Sequence, residues 1–242
     1  MHILWRGCPE SIAYSKRLQS LLEEDIKQED LVLCIGGDGT FLDAVRRFGT
    51  GFQYMPINFG TRGYLMNRRQ APEVYADILN QKRYLDHPFH RLTDRSHTAF
   101  NEFAVVPSGD QASKLRVTVD GDPISDEPVI GSGVLVSTAP GSTGWNMACG
   151  GTARHPLSQD ISVTFINAYS PRVPPFIVPA TSTIQIDVCE QDKRPCVTKS
   201  DGVTMQEGVS TVTVSKTLQD PVVVLYAADH NFTRRMIGKV IR

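Results

Sequence analysis

The sequence predicts an α/β domain built on an open parallel sheet, then an all-β domain with an antiparallel sandwich, and a C-terminal tail that packs back on the first domain. Three observations carry this. Uninterrupted apolar runs alternate with helically spaced segments over residues 1–80. After Pro88 the apolar period shortens to two. Near the end, Val222–Tyr226 is again a continuous apolar run, the pattern of a strand buried on both faces. On this reading the α/β domain spans 1–87 and regains 222–242, and the sandwich spans 88–221.

Each element has its own signal. Residues 2–6 read as a first strand. Ile12, Leu18, Leu21 and Leu22 give residues 9–24 a helical spacing, with Pro9 near the start and Glu23-Glu24-Asp25 near the end. Leu31–Ile35 is a buried strand, broken by Gly36–Gly39. Helical spacing resumes from Thr40 through Phe41, Leu42, Ala44 and Val45. Residues 52–59 form a third strand, and the turn Gly60–Gly63 follows. A helix is expected from Pro72 to Asn80, with proline in its first turn. Beyond Pro88, Leu115, Val117 and Val119 alternate with polar residues, and Asp120-Gly121 supplies a hairpin turn. Ile184, Ile186 and Val188 alternate likewise, as do Val212 and Val214. Dense proline over 171–179 excludes a long helix there. Residues 231–241 are a basic, helix-like stretch.

Composition narrows the partners. A net charge of −1 lacks the basic excess of a nucleic-acid binder. No stretch approaches the ~20 apolar residues of a membrane span, and the N-terminus reads as a strand, not a signal peptide. The five cysteines are scattered without a CxxC spacing, so neither a zinc site nor a disulfide framework is expected. Reduced thiols and a cytoplasmic location are the expectation.

Two glycine-rich turns carry the chemistry. Gly36-Gly-Asp-Gly-Thr40 ends a buried strand, where ligands bind in open α/β sheets, and its backbone N–H groups can cradle phosphates. Asp38 is out of place in a passive phosphate cradle, because a carboxylate repels phosphate. It suits a general base that takes a hydroxyl proton, or a metal ligand. Asn58–Tyr64 ends the next strand, and Arg62 there could grip a phosphate with two hydrogen bonds. Ser137–Gly151 follows the apolar run Gly133–Val136. It combines hydroxyls, glycines and Trp145, as suits a main chain that approaches a ligand closely. Asn101-Glu102, an amide beside a carboxylate in an apolar strand, could hold ribose hydroxyls. Lys199–Gly202 and His155 taken alone read as ordinary turn and structural residues.

Together these stretches resemble the NAD kinases, which use ATP or polyphosphate. Gly36–Thr40 matches the family's GGDGT, and Asn58–Leu65 looks like its NxGxxGFL turn. Asn101-Glu102 matches its NE pair, and Ser137–Gly151 is similar to STPTGSTAYxxSAGG. His155-Pro156-Leu157, Asp201-Gly202 and the His230–Arg235 tail also fit. The resemblance spans nearly the whole chain. GGDGT is shared with lipid kinases, whereas the GSTGW stretch together with the NE pair is more specific.

The resemblance implies an α/β domain and a β-sandwich domain with the site between them. It implies a phosphotransferase in which Asp38 activates the 2′-hydroxyl of the adenosine ribose of NAD. That oxygen attacks the terminal phosphate of ATP or polyphosphate, assisted by a divalent cation, Mg²⁺ first among candidates. Gly36, Gly37, Thr40 and Arg62 are then expected at the donor phosphates. Gly39, Asn101, Glu102, Thr143, Gly144, Trp145 and Asp201 are expected at NAD. A homo-oligomer, dimer or tetramer, is expected, with no nucleic-acid or membrane partner. Three departures stand out: Trp145 for the usual Tyr, Ala139-Pro140 for Pro-Thr, and Ser132 where the family has an acid. The last predicts a dinucleotide pocket more permissive at that end. Two other readings compete: a lipid kinase sharing GGDGT, and a catalytically silent NAD(P)-binding regulator.

Overall fold

The computed structural model describes residues 1–61 and 63–240. The chain opens with β1 (His2–Trp5), α1 (Pro9–Leu21), α2 (Glu24–Gln28), β2 (Leu31–Gly36), α3 (Asp38–Phe48), β3 (Gln53–Asn58), α4 (Pro72–Asn80) and β4 (Tyr84–Phe89). Every residue of β2 is buried, as its unbroken apolar run requires. β1, β2 and β3 pair in parallel. The first helix stops three residues earlier than its spacing predicts. Glu24 and Asp25 instead occupy the first turn of α2, where carboxylates complement the helix dipole. α3 likewise begins at Asp38 and not at Thr40, behind an extended Gly37.

The second stretch holds β5 (Leu92–Thr93), β6 (Thr98–Ala99), β7 (Glu102–Pro107), β8 (Ser113–Val119), β9 (Asp122–Pro123), β10 (Val129–Gly131) and β11 (Gly133–Ser137). A 3₁₀ turn at Pro140–Thr143 and the one-turn helix α5 (Trp145–Ala148) follow. Then come β12 (Ile161–Ile166), β13 (Phe176–Val178), β14 (Ile184–Val188), β15 (Cys196–Ser200), β16 (Val203–Glu207) and β17 (Thr211–Lys216). The strands form two antiparallel sheets, β10-β8-β14-β17-β5-β6 with β9 on β8, and β13-β12-β11-β7-β15-β16. One apolar core fills the space between them, with Phe103, Val105, Val134, Val136 and Val163 from one sheet and Val117, Ile184, Ile186 and Val214 from the other. The hairpin turns Asp120-Gly121 and Asp201-Gly202 have positive φ at both residues, 54° and 93°, and 46° and 81°. Both suit the twist of a tight hairpin.

The chain ends in β18 (Val222–Ala227) and α6 (Phe232–Val240). β18 inserts into the first sheet, giving the order β1-β2-β3-β18-β4. That sheet is not wholly parallel, because β4 pairs antiparallel with β18. β4 is an edge strand, a place where a proline such as Pro88 is tolerated. Two compact units result, Met1–Phe89 with Asp220–Arg242, and His90–Gln219.

β3 and β18 pair over two registered positions only, and Asn67 extends their join. Its amide Nδ2 donates to the Pro56 and Leu225 carbonyls at 3.0 and 2.9 Å, and its Oδ1 accepts the Ala227 N–H at 2.9 Å. The amide thus satisfies buried backbone groups that a complete ladder would have paired.

Candidate functional site

In the first unit the two glycine turns lie against each other. A Cβ on Gly60 would stand 3.2 Å from the Gly37 Cα, and a Cβ on Gly36 would meet Thr40 Oγ1 at 2.1 Å. Main chain at Gly60 and the Thr40 side chain at Gly36 leave little room for a Cβ. Asp38 occupies the first turn of α3. Its Oδ2 accepts the Tyr64 N–H and its Oδ1 the Leu65 N–H, both at 3.0 Å. The carboxylate is thereby oriented, and each oxygen keeps acceptor capacity. Asp38, Gly37, Gly39, Thr40, Gly60 and Arg6 line one open cleft. A Cβ on Gly39 would meet nothing within 4 Å. Arg62, expected at the donor phosphates, lies outside the described residues.

Behind this cleft, Tyr226 donates its hydroxyl to the Leu65 carbonyl at 3.0 Å, and Arg235 Nη1 donates to the Gly63 carbonyl at 2.7 Å. β18 and α6 thus brace the loop that orients Asp38. Burial pushes the Tyr64 and Tyr226 phenols up, with the Asp38 charge adding to it, so both stay neutral donors.

The second unit gathers most of the residues expected at the dinucleotide. Asn101, Glu102, Gly141 and Thr143 stand at the ends of β6, β7 and β11. The Asn101 carbonyl accepts the Thr138 N–H at 2.9 Å, and a Cβ on Gly141 would lie 2.4 Å from that same oxygen. Three polar atoms here are buried without a hydrogen-bond partner among the described residues: Asn101 Oδ1, Glu102 Oε2 and Thr143 Oγ1. Buried polar atoms are normally paired, and a group of orphans marks a place where a ligand supplies the partner. Glu102 is 7% exposed. Burial, and then the charge of Asp201, push its carboxyl up to about 8.

Asp201, expected at NAD, is engaged with the main chain of the NE pair. It sits in the β15–β16 turn, and its carboxylate accepts the backbone N–H groups of Phe100, Asn101 and Glu102 at 2.8, 2.7 and 3.2 Å. It holds the main chain that presents Asn101 and Glu102. Trp145 is half-buried on the outer face of the sheet, against Ala104, Leu135 and Ile166. Gly144 is exposed beside it. Ser132 is exposed between β10 and β11, and its N–H donates to the Ile166 carbonyl at 2.7 Å.

Two further residues shape the Ser137–Gly151 segment. Asn146 Oδ1 accepts the hydroxyls of Ser162 and Thr164 at 3.1 and 2.7 Å, while its Nδ2 donates to the Ser142 carbonyl at 3.0 Å. A Cβ on Gly151 would meet this amide at 2.3 Å. Arg154, 5% exposed, donates to the Ser137 carbonyl at 2.8 Å and pairs with Asp160. Among the described residues, no three His, Cys, Asp or Glu side chains cluster to hold a metal ion. Among them too, no helix is long and apolar enough to cross a membrane.

Comparison with known proteins covers both units. The family model for the ATP-NAD kinase N-terminal domain matches residues 7–84, and that for the ATP-NAD kinase C-terminal domain matches residues 100–225. An NAD kinase of Brucella suis is 26% identical over 251 residues, spanning 100% of this chain and 97% of its own. An NAD kinase of Sulfurisphaera tokodaii is 28% identical over 233 residues, 89% of this chain and 92% of its own. The crystal structure of an NAD kinase from Archaeoglobus fulgidus in complex with ATP shares the fold with a TM-score of 0.82. It is 21% identical and covers 99% of this chain and 97% of that one. Yeast NADH kinase complexed with NADH also gives 0.82, at 18% identity, covering 99% of this chain and 86% of that one.

Proposed function

The chain belongs to the NAD kinase family, and from that premise we propose that it transfers the terminal phosphate of ATP to the 2′-hydroxyl of the adenosine ribose of NAD, giving NADP and ADP. The observation that carries the proposal is the pair of chemistries that the two units hold. One offers a carboxylate oriented by two N–H groups inside a phosphate-type glycine turn. The other offers orphaned polar atoms on Asn101, Glu102 and Thr143 that suit an adenine and its ribose.

In this mechanism Asp38 takes the proton of the 2′-hydroxyl as that oxygen attacks the terminal phosphorus and the bond to ADP breaks. Gly36, Gly37 and Thr40 bound the donor phosphates, and Gly39 leaves room for the ligand. Asn101 and Thr143 meet the adenine, Glu102 the ribose hydroxyls, and Gly144 and Trp145 line the dinucleotide site. Asp201 acts through the Asn101-Glu102 backbone. The divalent cation would be carried on the donor phosphates. Mg²⁺ would neutralise phosphate charge there.

Five free cysteines fit a cytoplasmic location. A homo-oligomer, a dimer or a tetramer, is part of the same proposal and rests on the family resemblance alone. A lipid kinase reading accounts for the GGDGT turn alone and leaves Asn101, Glu102 and Thr143 without a task.

The test is NADP formation from NAD and Mg²⁺ with ATP or polyphosphate as donor. Asp38→Asn should lower turnover by roughly 10²–10⁴-fold, the span for loss of a general base. Full activity in that variant removes Asp38 from the chemistry. Phosphorylated diacylglycerol without NADP favours the lipid kinase, and tight NAD binding without turnover favours the silent regulator.

A further inference from the structure

The Asn58–Tyr64 turn and α6 enclose a cleft of about 270 Å³ whose lining includes Asn58, Thr61, Gly63, Tyr64, Arg235 and Lys239. Thr61 and Gly63 also line the cleft around Asp38, so the two share a wall. None of the described residues lining the α6 cleft is acidic, and two are cations. Both cations are held in place. Arg235 Nη1 donates to the Gly63 carbonyl at 2.7 Å, and Lys239 Nζ lies 4.8 Å from the centre of the Tyr64 ring. The Tyr64 hydroxyl is buried with no hydrogen-bond partner among the described residues.

The neighbouring Asp38 cleft has fewer cations among its described lining residues than this one. Its described lining contains a carboxylate and a single cation, Arg6, held by a hydrogen bond from Nη1 to the Phe59 carbonyl at 3.0 Å. Among the described residues that line it, Arg6 alone offers positive charge to a chain of phosphates entering beside Asp38. The adjoining cleft supplies two cations and a neutral hydroxyl donor, the donor set that phosphate oxygens take up.

We propose that Lys239, Arg235 and Tyr64 form an anion subsite for a phosphoanhydride. The inference rests on the kinase reading for its place in the reaction. Two sources share that chemistry, the phosphate chain of the donor and the pyrophosphate of the dinucleotide.

The experiment titrates the full chain calorimetrically with inorganic tripolyphosphate, ATP and NAD in turn, for the parent, Lys239→Gln and Lys239→Arg. Lys239 is half-buried on the last helix, so the neutral variant is expected to fold. Lys239→Gln should weaken binding roughly tenfold, the loss of one charge-assisted contact, and Lys239→Arg should restore most of it. Weakened tripolyphosphate and ATP with unchanged NAD identifies the donor chain. Weakened NAD alone identifies the dinucleotide pyrophosphate. Unchanged affinity for all three overturns the subsite. NADP formation by the parent is followed in parallel. A parent that makes no NADP while Lys239→Gln still loses tripolyphosphate sinks the kinase reading and leaves the subsite standing.

Discussion

Asp201 and Glu102 are tied to each other through the main chain in both directions. The Asp201 carboxylate accepts the Glu102 N–H at 3.2 Å, and the Asp201 N–H donates to the Glu102 carbonyl at 3.0 Å. The same carboxylate takes the N–H groups of Phe100 and Asn101. Asp201→Asn leaves one acceptor oxygen and turns an amide N–H₂ toward backbone donors. We expect a loss of roughly 1–3 kcal/mol in urea unfolding. We also expect a downward move of the Glu102 carboxyl titration by NMR, because after burial the Asp201 charge is the second cause that raises it. A variant with parental stability and an unmoved Glu102 would remove Asp201 from its positioning role.

Glu102 makes stability depend on pH with a definite sign. Its carboxyl rises from the ordinary 4.5 to about 8 on folding. Between those values the folded protein keeps a proton that the unfolded chain has released, so this group's contribution falls as pH rises. Below about pH 4.5 both states hold the proton and the cost vanishes. At ~1.4 kcal/mol per pH unit the loss reaches about 4 kcal/mol by pH 8. Glu102→Gln should therefore flatten the stability curve from pH 5 to 8 in the ligand-free protein. The same substitution should weaken NAD more than ATP, since the amide has one acceptor oxygen for two ribose hydroxyls. Parallel curves for parent and variant would show that the carboxyl titrates normally.

The glycine turn, the NE pair and the alternation of β8 and β14 were legible because each is a local signal. A turn needs its glycines within a few residues, and a strand repeats every second one. What stayed hidden depends on contacts between distant segments. Asp201 reaches Phe100 across 101 positions, and Asn67 reaches Leu225 across 158. Neither residue type reveals its partner when read alone. The antiparallel edge at β4 was hidden for a similar reason. Its partner β18 lies at the far end of the chain, and direction leaves no mark on a six-residue strand. The start of α3 was misplaced by two residues because Gly37 and Gly39 look alike in sequence. One is the extended cap and the other lies inside the helix.

Gly39 separates ligand approach from folding. It lies in the first turn of α3, and an added Cβ would face open space. Gly39→Ala should hold or raise stability by roughly 0.5–1 kcal/mol, since alanine is the better helix former. It should also lower kcat/KM, because the methyl projects beside Asp38 where substrate must come close. Thermal melts and steady-state kinetics on one preparation check both halves. Unchanged kinetics would mean that the ligand does not approach this turn.

Gly141 gives the converse case, in which the added methyl strikes main chain. Its Cβ would stand 2.4 Å from the Asn101 carbonyl oxygen and 2.6 Å from the carbonyl carbon. No rotamer relieves this, because both atoms belong to a backbone already fixed by Thr138 and Asp201. The 3₁₀ turn that carries Thr143 must then move away from Asn101, or the Asn101-Glu102 segment must shift. Overpacking of this kind costs about 1–3 kcal/mol. The shift separates the orphaned atoms of Asn101, Glu102 and Thr143, so NAD affinity should fall by more than tenfold in a protein that still melts cooperatively. Tripolyphosphate binding should not change, because its proposed residues belong to the other unit. A Gly141→Ala protein that binds NAD like the parent would show that those three polar atoms do not act as one site.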